Sequence, residues 1–137
     1  MKVLVATDGS EQSMKAVLRA LDLAEKQGAE VTIMAVAYYI KDYFDDMPPN
    51  VQDKLEAEAA TALKKAKALF DAKGIPANTE LQAGQVPANN IIRFAEDGKF
   101  DRIIVGSSGI HGLERVLMGS TAAKVVAHAP CEVTVVR

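Results

Sequence analysis

Short apolar runs alternate with longer amphipathic stretches along this chain, and that rhythm is the first thing its residues dictate. Lys2 to Thr7 is a compact apolar run that ends at Asp8-Gly9-Ser10, the pattern of a buried strand followed by a helix start. From Ser10 the period becomes helical, with Met14, Val17, Leu18, Leu21 and Ala24 on one face and Gly28 as the stop. Val31 to Ala37 predicts a second strand, and Tyr38 to Asn50 has no clear period. Pro48-Pro49-Asn50 then opens a long helix whose stripe is Val51, Leu55, Ala59, Ala62, Ala66, Leu69 and Phe70, ending at Gly74. Thr79 to Ala83 has Leu81 as its one large apolar residue, which predicts a strand at a sheet edge. Pro87 suits the first turn of a helix carrying Ile91, Ile92 and Ala95 and stopped by Gly98. Arg102 to Val105, Ser120 to His128 and Glu132 to Val136 complete the series as strand, helix and strand.

Strands that alternate with helices imply right-handed crossovers and a mainly parallel sheet covered on both faces. The central runs are continuously apolar, as two-sided burial requires. The fold class is therefore α/β, one doubly wound domain over residues 1–137, without repeats or a linker. Ligands of such sheets bind at the carboxyl ends of the strands, beside the point where strand order reverses. Asp8, Val36 and Gly106 each fall at or near such an end.

Composition narrows the partners. A net charge of −2 argues against a nucleic-acid binder, which usually carries a basic excess. The longest apolar run, Val31 to Ile40, is too short to span a bilayer, and the N-terminal apolar stretch is too short for a signal peptide, so a cytoplasmic location is expected. Cys131 is the one cysteine, which excludes an intrachain disulfide and reads as a small buried hydrophobe.

The candidate chemistry lies near the C-terminus. Gly106-Ser107-Ser108-Gly109 follows the apolar run Ile103-Ile104-Val105, and nine residues later comes Gly119-Ser120-Thr121 at a helix start. Glycines let backbone amides approach a bulky anion, and a helix N-terminus adds partial positive charge. Ser108, Ser120 and Thr121 bring hydroxyls as well. The spacing points to a phosphate cradle. It is not a P-loop, since no Gly-Lys-Ser or Gly-Lys-Thr follows the first strand, and a dinucleotide fingerprint is missing there too. Asp8 would repel phosphate, so it suits ribose hydroxyls, with helix capping as the other use of such a residue; Ser10 can take the cap. Tyr38 to Asp46 reads as a lid, a partner contact or a surface loop, and His111 and Arg115 either as phosphate contacts or as exposed loop residues. His128, near the end of the last helix, complements that helix's dipole. Adjacent Asp45 and Asp46 do not by themselves supply a metal shell.

Val5-Ala6-Thr7-Asp8-Gly9-Ser10 together with Gly106-x-x-Gly109 and Gly119-Ser120 resembles the universal stress proteins, in their ATP-binding branch. The similarity extends to Gly84-x-x-Pro87 and to the closing Pro130-Cys131-Glu132-Val133-Thr134-Val135-Val136. The resemblance implies a Rossmann-like, five-stranded parallel sheet of order 3-2-1-4-5 and a regulatory role in the stress response. It implies that Asp8 holds the ribose, while Val36, Ala6 and Thr7 meet adenine. Val105 and Gly106 would line the nucleotide, Ser108, Gly109 and Ile110 would approach the phosphates, and Gly119, Ser120 and Thr121 would close that site. Relatives often carry a larger polar or basic residue where this chain has Ser108, so AMP or ADP is expected to compete with ATP, and Mg2+ to accompany the nucleotide. A homodimer through Val133 to Val136 is expected, because that strand would be an apolar sheet edge. Slow ATP hydrolysis or phosphate transfer at the same site is the alternative activity.

Overall fold

The computed structural model describes residues 1–39, 50–108 and 118–137. Five strands and four helices alternate: β1 (Lys2–Ala6), α1 (Glu11–Gln27), β2 (Glu30–Tyr38), α2 (Asn50–Ala72), β3 (Asn78–Gly84), α3 (Pro87–Asp97), β4 (Arg102–Gly106), α4 (Ser120–His128) and β5 (Glu132–Val136). All four pairings are parallel, in the order β3-β2-β1-β4-β5. The expected class and strand order both hold, with β3 at an edge. β3 and β2 are longer than the apolar runs that marked them, because their polar ends Asn78 and Tyr38 still pair in the ladder.

The two faces of the sheet have separate cores. Val3, Val5, Val31, Ile33 and Ile104 point to one side, where α1 and α2 cover them with Val17, Ala20, Ala66 and Phe70. Leu4, Met34, Ile103 and Val105 point to the other, beneath Ile91, Ala95, Ala122 and Val125 of α3 and α4. Alternation within β1 thus feeds both cores, and each of Val3, Leu4 and Val5 is fully buried.

Two helical stripes differ from their apolar periods. Leu18 is half-exposed at 50%, while Ser13, Ala16, Ala20 and Leu23 are buried. α1 spans β1, β2, β4 and β5, so small residues at its centre let the backbone sit close to the sheet and leave Leu18 beyond the contact arc. In α2, Leu63 and Gln52 are buried, and Val51, Leu55 and Leu69 are half-buried. Gln52 is tolerated inside because its amide donates to the Tyr38 carbonyl at 2.9 Å.

Helix ends are set by identifiable contacts. Ser10 caps α1 by accepting the Ser13 amide at 3.3 Å, and Gly28 closes it in the left-handed conformation. After α3 the left-handed residue is Lys99 at φ 52°, not Gly98. Gly98 is there for room, since a Cβ would stand 2.5 Å from the Phe100 ring.

Gly106 has the tightest backbone approach that positions the site. A Cβ on it would lie 2.8 Å from the Gln12 carbonyl oxygen and 3.1 Å from the Ser13 amide nitrogen, both backbone atoms of α1. Gly106→Ala is expected to lower unfolding free energy by about 1–3 kcal/mol, the usual range for overpacking, read from a urea midpoint shift at unchanged slope.

Candidate functional site

β1 is central, and the chain leaves it toward β2 on one side and returns to β4 on the other. The crevice at the carboxyl ends of β1 and β4 is therefore the switch point of the sheet. Four segments meet along this rim: residues 6–10 after β1, the end of β2, residues 105–108 after β4, and the start of α4.

The first segment is held by a hydroxyl network. The Thr7 amide donates to the Met34 carbonyl at 2.9 Å, extending the ladder one residue past β1, and the Thr7 side chain is buried. Thr7 Oγ1 lies 2.8 Å from Ser13 Oγ and accepts the Gly9 amide at 3.1 Å. Ser13 Oγ accepts the Asp8 amide at 3.2 Å and stands 2.9 Å from Asp8 Oδ1. Each hydroxyl has one proton, so a consistent assignment has Thr7 donating to Ser13 and Ser13 donating to the carboxylate. Asp8 Oδ1 also accepts the Ser10 amide at 2.9 Å. Ser10 does take the cap, as its position predicts, yet Asp8 is not released from the turn. Its Oδ1 joins the helix start, while the residue as a whole stays exposed at the rim.

Val36, half-buried, packs against the α3–α4 core beside Ala6. Val105 is buried and Gly106 half-buried at the end of β4. The Ser107 amide donates to Val136 at 2.8 Å, and its carbonyl accepts the Gly119 amide at 2.6 Å. That pair ties the end of β4 to both β5 and the start of α4. Ser108 and Gly119 are buried beside it.

The N-terminus of α4 differs from that of α1. Gly119 is its N-cap, with φ −60° and ψ 156°; among the described residues no side chain caps it, and its first turn has no acidic residue. The Gly119 carbonyl accepts the Ala123 amide at 2.9 Å, so the Ser120, Thr121 and Ala122 amides are the open donors of the first turn. Ser120 is exposed and Thr121 half-buried, and among the described residues nothing answers this partial positive charge. Such an end accepts an anion.

Of the sequence-predicted residues, Ala6, Thr7, Asp8, Val36, Val105, Gly106, Ser108, Gly119, Ser120 and Thr121 all lie on strand ends or helix starts of this one rim. Gly109, Ile110, His111 and Arg115 lie outside the described residues, as do positions 40–49 of the acidic, tyrosine-bearing segment. Sequence reasoning missed Ser13, the hub of the network; its only signal is a second serine three residues after the cap. It also missed Gln12, whose side-chain oxygen is buried and finds no partner among the described residues. A groove of about 410 Å³ lies away from this rim, between α3 and α4, and includes Ile92, Arg93, Lys124 and His128. Its walls share no residue with the rim, so chemistry rather than volume selects the site.

The profile of the universal stress protein family matches residues 1–137. The chain belongs to the universal stress protein family. Among relatives of the family, universal stress protein MJ0531 of Methanocaldococcus jannaschii is 38% identical over 99% of this chain and 81% of its own length. The structure of universal stress protein UspA from Lactobacillus plantarum matches with a TM-score of 0.83 and 32% identity, over 100% of this chain and 97% of that one. A universal stress protein solved in complex with cAMP matches with a TM-score of 0.74 and 26% identity, over 100% and 97% of the two chains. Among the described residues, no helix of this family member is long and apolar enough to cross a membrane.

Two expectations follow from the local chemistry. Ser13→Ala leaves the Asp8 amide and the carboxylate without their shared hydroxyl, and should cost about 1–3 kcal/mol. Ser10→Ala should cost about 1 kcal/mol as a lost cap, so urea unfolding should rank Ser13 first. Cys131 packs against the α3–α4 core as expected but is half-buried rather than buried. Burial pushes its thiol pKa up, and the carboxylates of Asp101 and Glu132 add to this. The folded protein thus favours the neutral thiol, a stabilisation present below the ordinary thiol range and lost as pH rises through it. Iodoacetamide should modify Cys131 more slowly in the folded protein than in urea at the same pH.

Proposed function

We propose that this chain binds an adenine nucleotide, ATP foremost, at the β1–β4 rim and acts as a regulatory module of the stress response. The observation that carries the reading is the uncapped start of α4, placed by the Ser107–Gly119 hydrogen bond beside the end of β4. Open amides and two hydroxyls at that end fit a phosphate group. Support also comes from the solved family member in complex with cAMP, an adenine nucleotide held on the same fold.

Asp8 stands at the rim as the ribose partner, with its carboxylate steadied by Ser10 and Ser13. Ala6, Thr7 and Val36 form the adenine side, and Val105 and Gly106 the floor. Ser108, Gly109, Ile110, Gly119, Ser120 and Thr121 take the phosphates, with Mg2+ accompanying a triphosphate and AMP or ADP as competitors. The described rim offers hydroxyls and amides, donors suited to holding phosphates. Nucleotide occupancy then acts by favouring one arrangement of the rim over another.

The β5 edge completes the proposal as a homodimer contact. The Ser107 amide bonds the Val136 carbonyl, so Val136 and Thr134 turn their backbone groups toward β4. Val133 and Val135 therefore turn theirs outward, where a second copy adds its own strand.

Isothermal titration should give ATP binding that weakens at least about tenfold, or 1.4 kcal/mol, in Asp8→Ala. Ser120→Glu supplies the missing negative charge at the start of α4, so it should abolish ATP binding while leaving the melting temperature equal or higher. Full affinity in both variants would overturn the assigned site.

A further inference from the structure

The opposite edge of the sheet has a feature that the nucleotide reading does not use. Tyr39 donates its amide to the Gly84 carbonyl at 2.9 Å. A strand residue sends its N–H and C=O to the same side, and the sides alternate along the strand. Gly84, Gln82 and Glu80 therefore face β2, while Thr79, Leu81 and Ala83 turn their backbone groups outward. The Asn90 amide, which reaches from α3 to the Ala83 carbonyl at 3.3 Å, agrees with this phase.

Natural edges are blunted by lysine, proline, bulges, short length or a covering helix or loop. Among the described residues α3 covers the Ala83 carbonyl through Asn90, and the outward groups of Thr79 and Leu81 are left to the edge. β3 runs seven residues in unbroken register with Thr32 to Tyr38, and its sequence Asn-Thr-Glu-Leu-Gln-Ala-Gly contains neither lysine nor proline. Its one charge, Glu80, accepts a hydrogen bond from Gln82 of the same strand at 3.0 Å. Leu81 lies on the α2 side of the sheet, in register with Ala35, and keeps 45% of its surface exposed. Beside it a groove of about 370 Å³ runs between α2 and β3, bounded by Ala60, Leu63, Lys64 and Thr79.

The sequence of this edge is complementary to itself. Antiparallel pairing centred on Leu81 brings outward-facing residues opposite one another, Leu81 against the partner's Leu81 and Thr79 against the partner's Ala83. It also sets Glu80 against the partner's Gln82, a carboxylate facing an amide donor. Centring on Glu80 would instead oppose two carboxylates, which is unfavourable. Space permits the pairing. α2 packs chiefly over β2, and three strand spacings separate β2 from the partner's β2, about 14 Å. Packed helices need about 8–10 Å, so the two α2 helices clear each other and the leucines fill the gap between them.

We infer that β3 is a self-recognition edge, on which a second copy of this chain adds in antiparallel register through Leu81. The inference is independent of nucleotide binding. With a twofold contact at each end of the sheet, protomers join into an open row rather than a closed dimer.

Single cysteines placed in a Cys131→Ala background test the register under mild oxidation. Leu81→Cys should form a covalent dimer, because paired Cα atoms about 5.5 Å apart suit a disulfide. Thr79→Cys alone should not, since its two copies would sit about 13 Å apart. Thr79→Cys mixed with Ala83→Cys should cross-link. Absence of the Leu81→Cys dimer, or an equal yield from Thr79→Cys alone, overturns the pairing. In sedimentation equilibrium, Leu81→Lys should remove an association that Val135→Pro, at the β5 edge, retains. Circular dichroism melts confirm that each variant folds. Association that disappears only in Val135→Pro, or a wild-type chain that stays a single protomer up to millimolar concentration, also overturns it.

Discussion

The contact between the first turn of α1 and the end of β4 is what the rest of the rim depends on. Gly106 gives the Gln12 carbonyl and the Ser13 amide room that any side chain would occupy. With α1 seated that deeply, Ser13 comes within reach of both Thr7 and Asp8, and the turn after β1 is drawn into one hydrogen-bonded unit. The next residue after Gly106, Ser107, then links β4 to β5 through its amide and to α4 through its carbonyl. A few residues thus bring the Asp8 carboxylate and the start of α4 to the same end of the sheet. Moving α1 outward by one methyl group would disturb all of these links, because packed interiors transmit such changes.

The sequence made the β1 and β4 ends legible for a simple reason. Buried parallel strands are written as continuous apolar runs, and the residues after them must be small or polar to turn. Strand order came from the family resemblance, whereas the register is visible only in the structure. Leu18 and Gln52 were not legible. Which residue of a helix meets the sheet depends on the helix's height and rotation over the strands, which periodicity alone does not fix. Gln52 is buried because a carbonyl at the end of β2 happens to lie across from it, a tertiary contact without a local signature. Ser13 was missed for the same reason. Its role comes from Thr7 and Asp8, which meet it only after the turn has closed.

Asp8 is a carboxylate that the turn before α1 fixes in place while the residue stays exposed. A carboxylate near a helix N-terminus is stabilised by the dipole, and Asp8 is held there by two donors through Oδ1. That arrangement orders the side chain before any ligand arrives, so less rotamer freedom remains to be lost on binding. The start of α4 has the opposite design. Among the described residues no side chain caps its first-turn amides, which leaves the helix less stable by itself and more receptive to a bound anion. One helix start is closed by its own chain and the other is kept open. An anion at α4 would then stabilise the fold as well as occupy the site, since a ligand that binds only the folded state shifts unfolding by mass action.

The two sheet edges divide their exposure unequally. β5 is half-buried, with Val133 and Val135 committed to the α3–α4 core and Val136 to the α1–α2 core. A strand added there meets backbone groups more than side chains. β3 instead leaves Leu81 exposed, because α2 sits over β2 and covers only part of the last strand. The same rim also tethers β5, through Ser107, to the loop that leads into α4. Among the described residues β3 shows no such tie, and its own end is joined to α3 by Asn90 on the far side of β1 from β4. A change at the β1–β4 rim therefore has a short mechanical route to the β5 edge, and to reach β3 it would have to cross β1 and β2, whose buried pairing resists displacement. If copies pair at both edges, the β5 contact is the one that lies within reach of the rim, and the β3 contact stands apart from it.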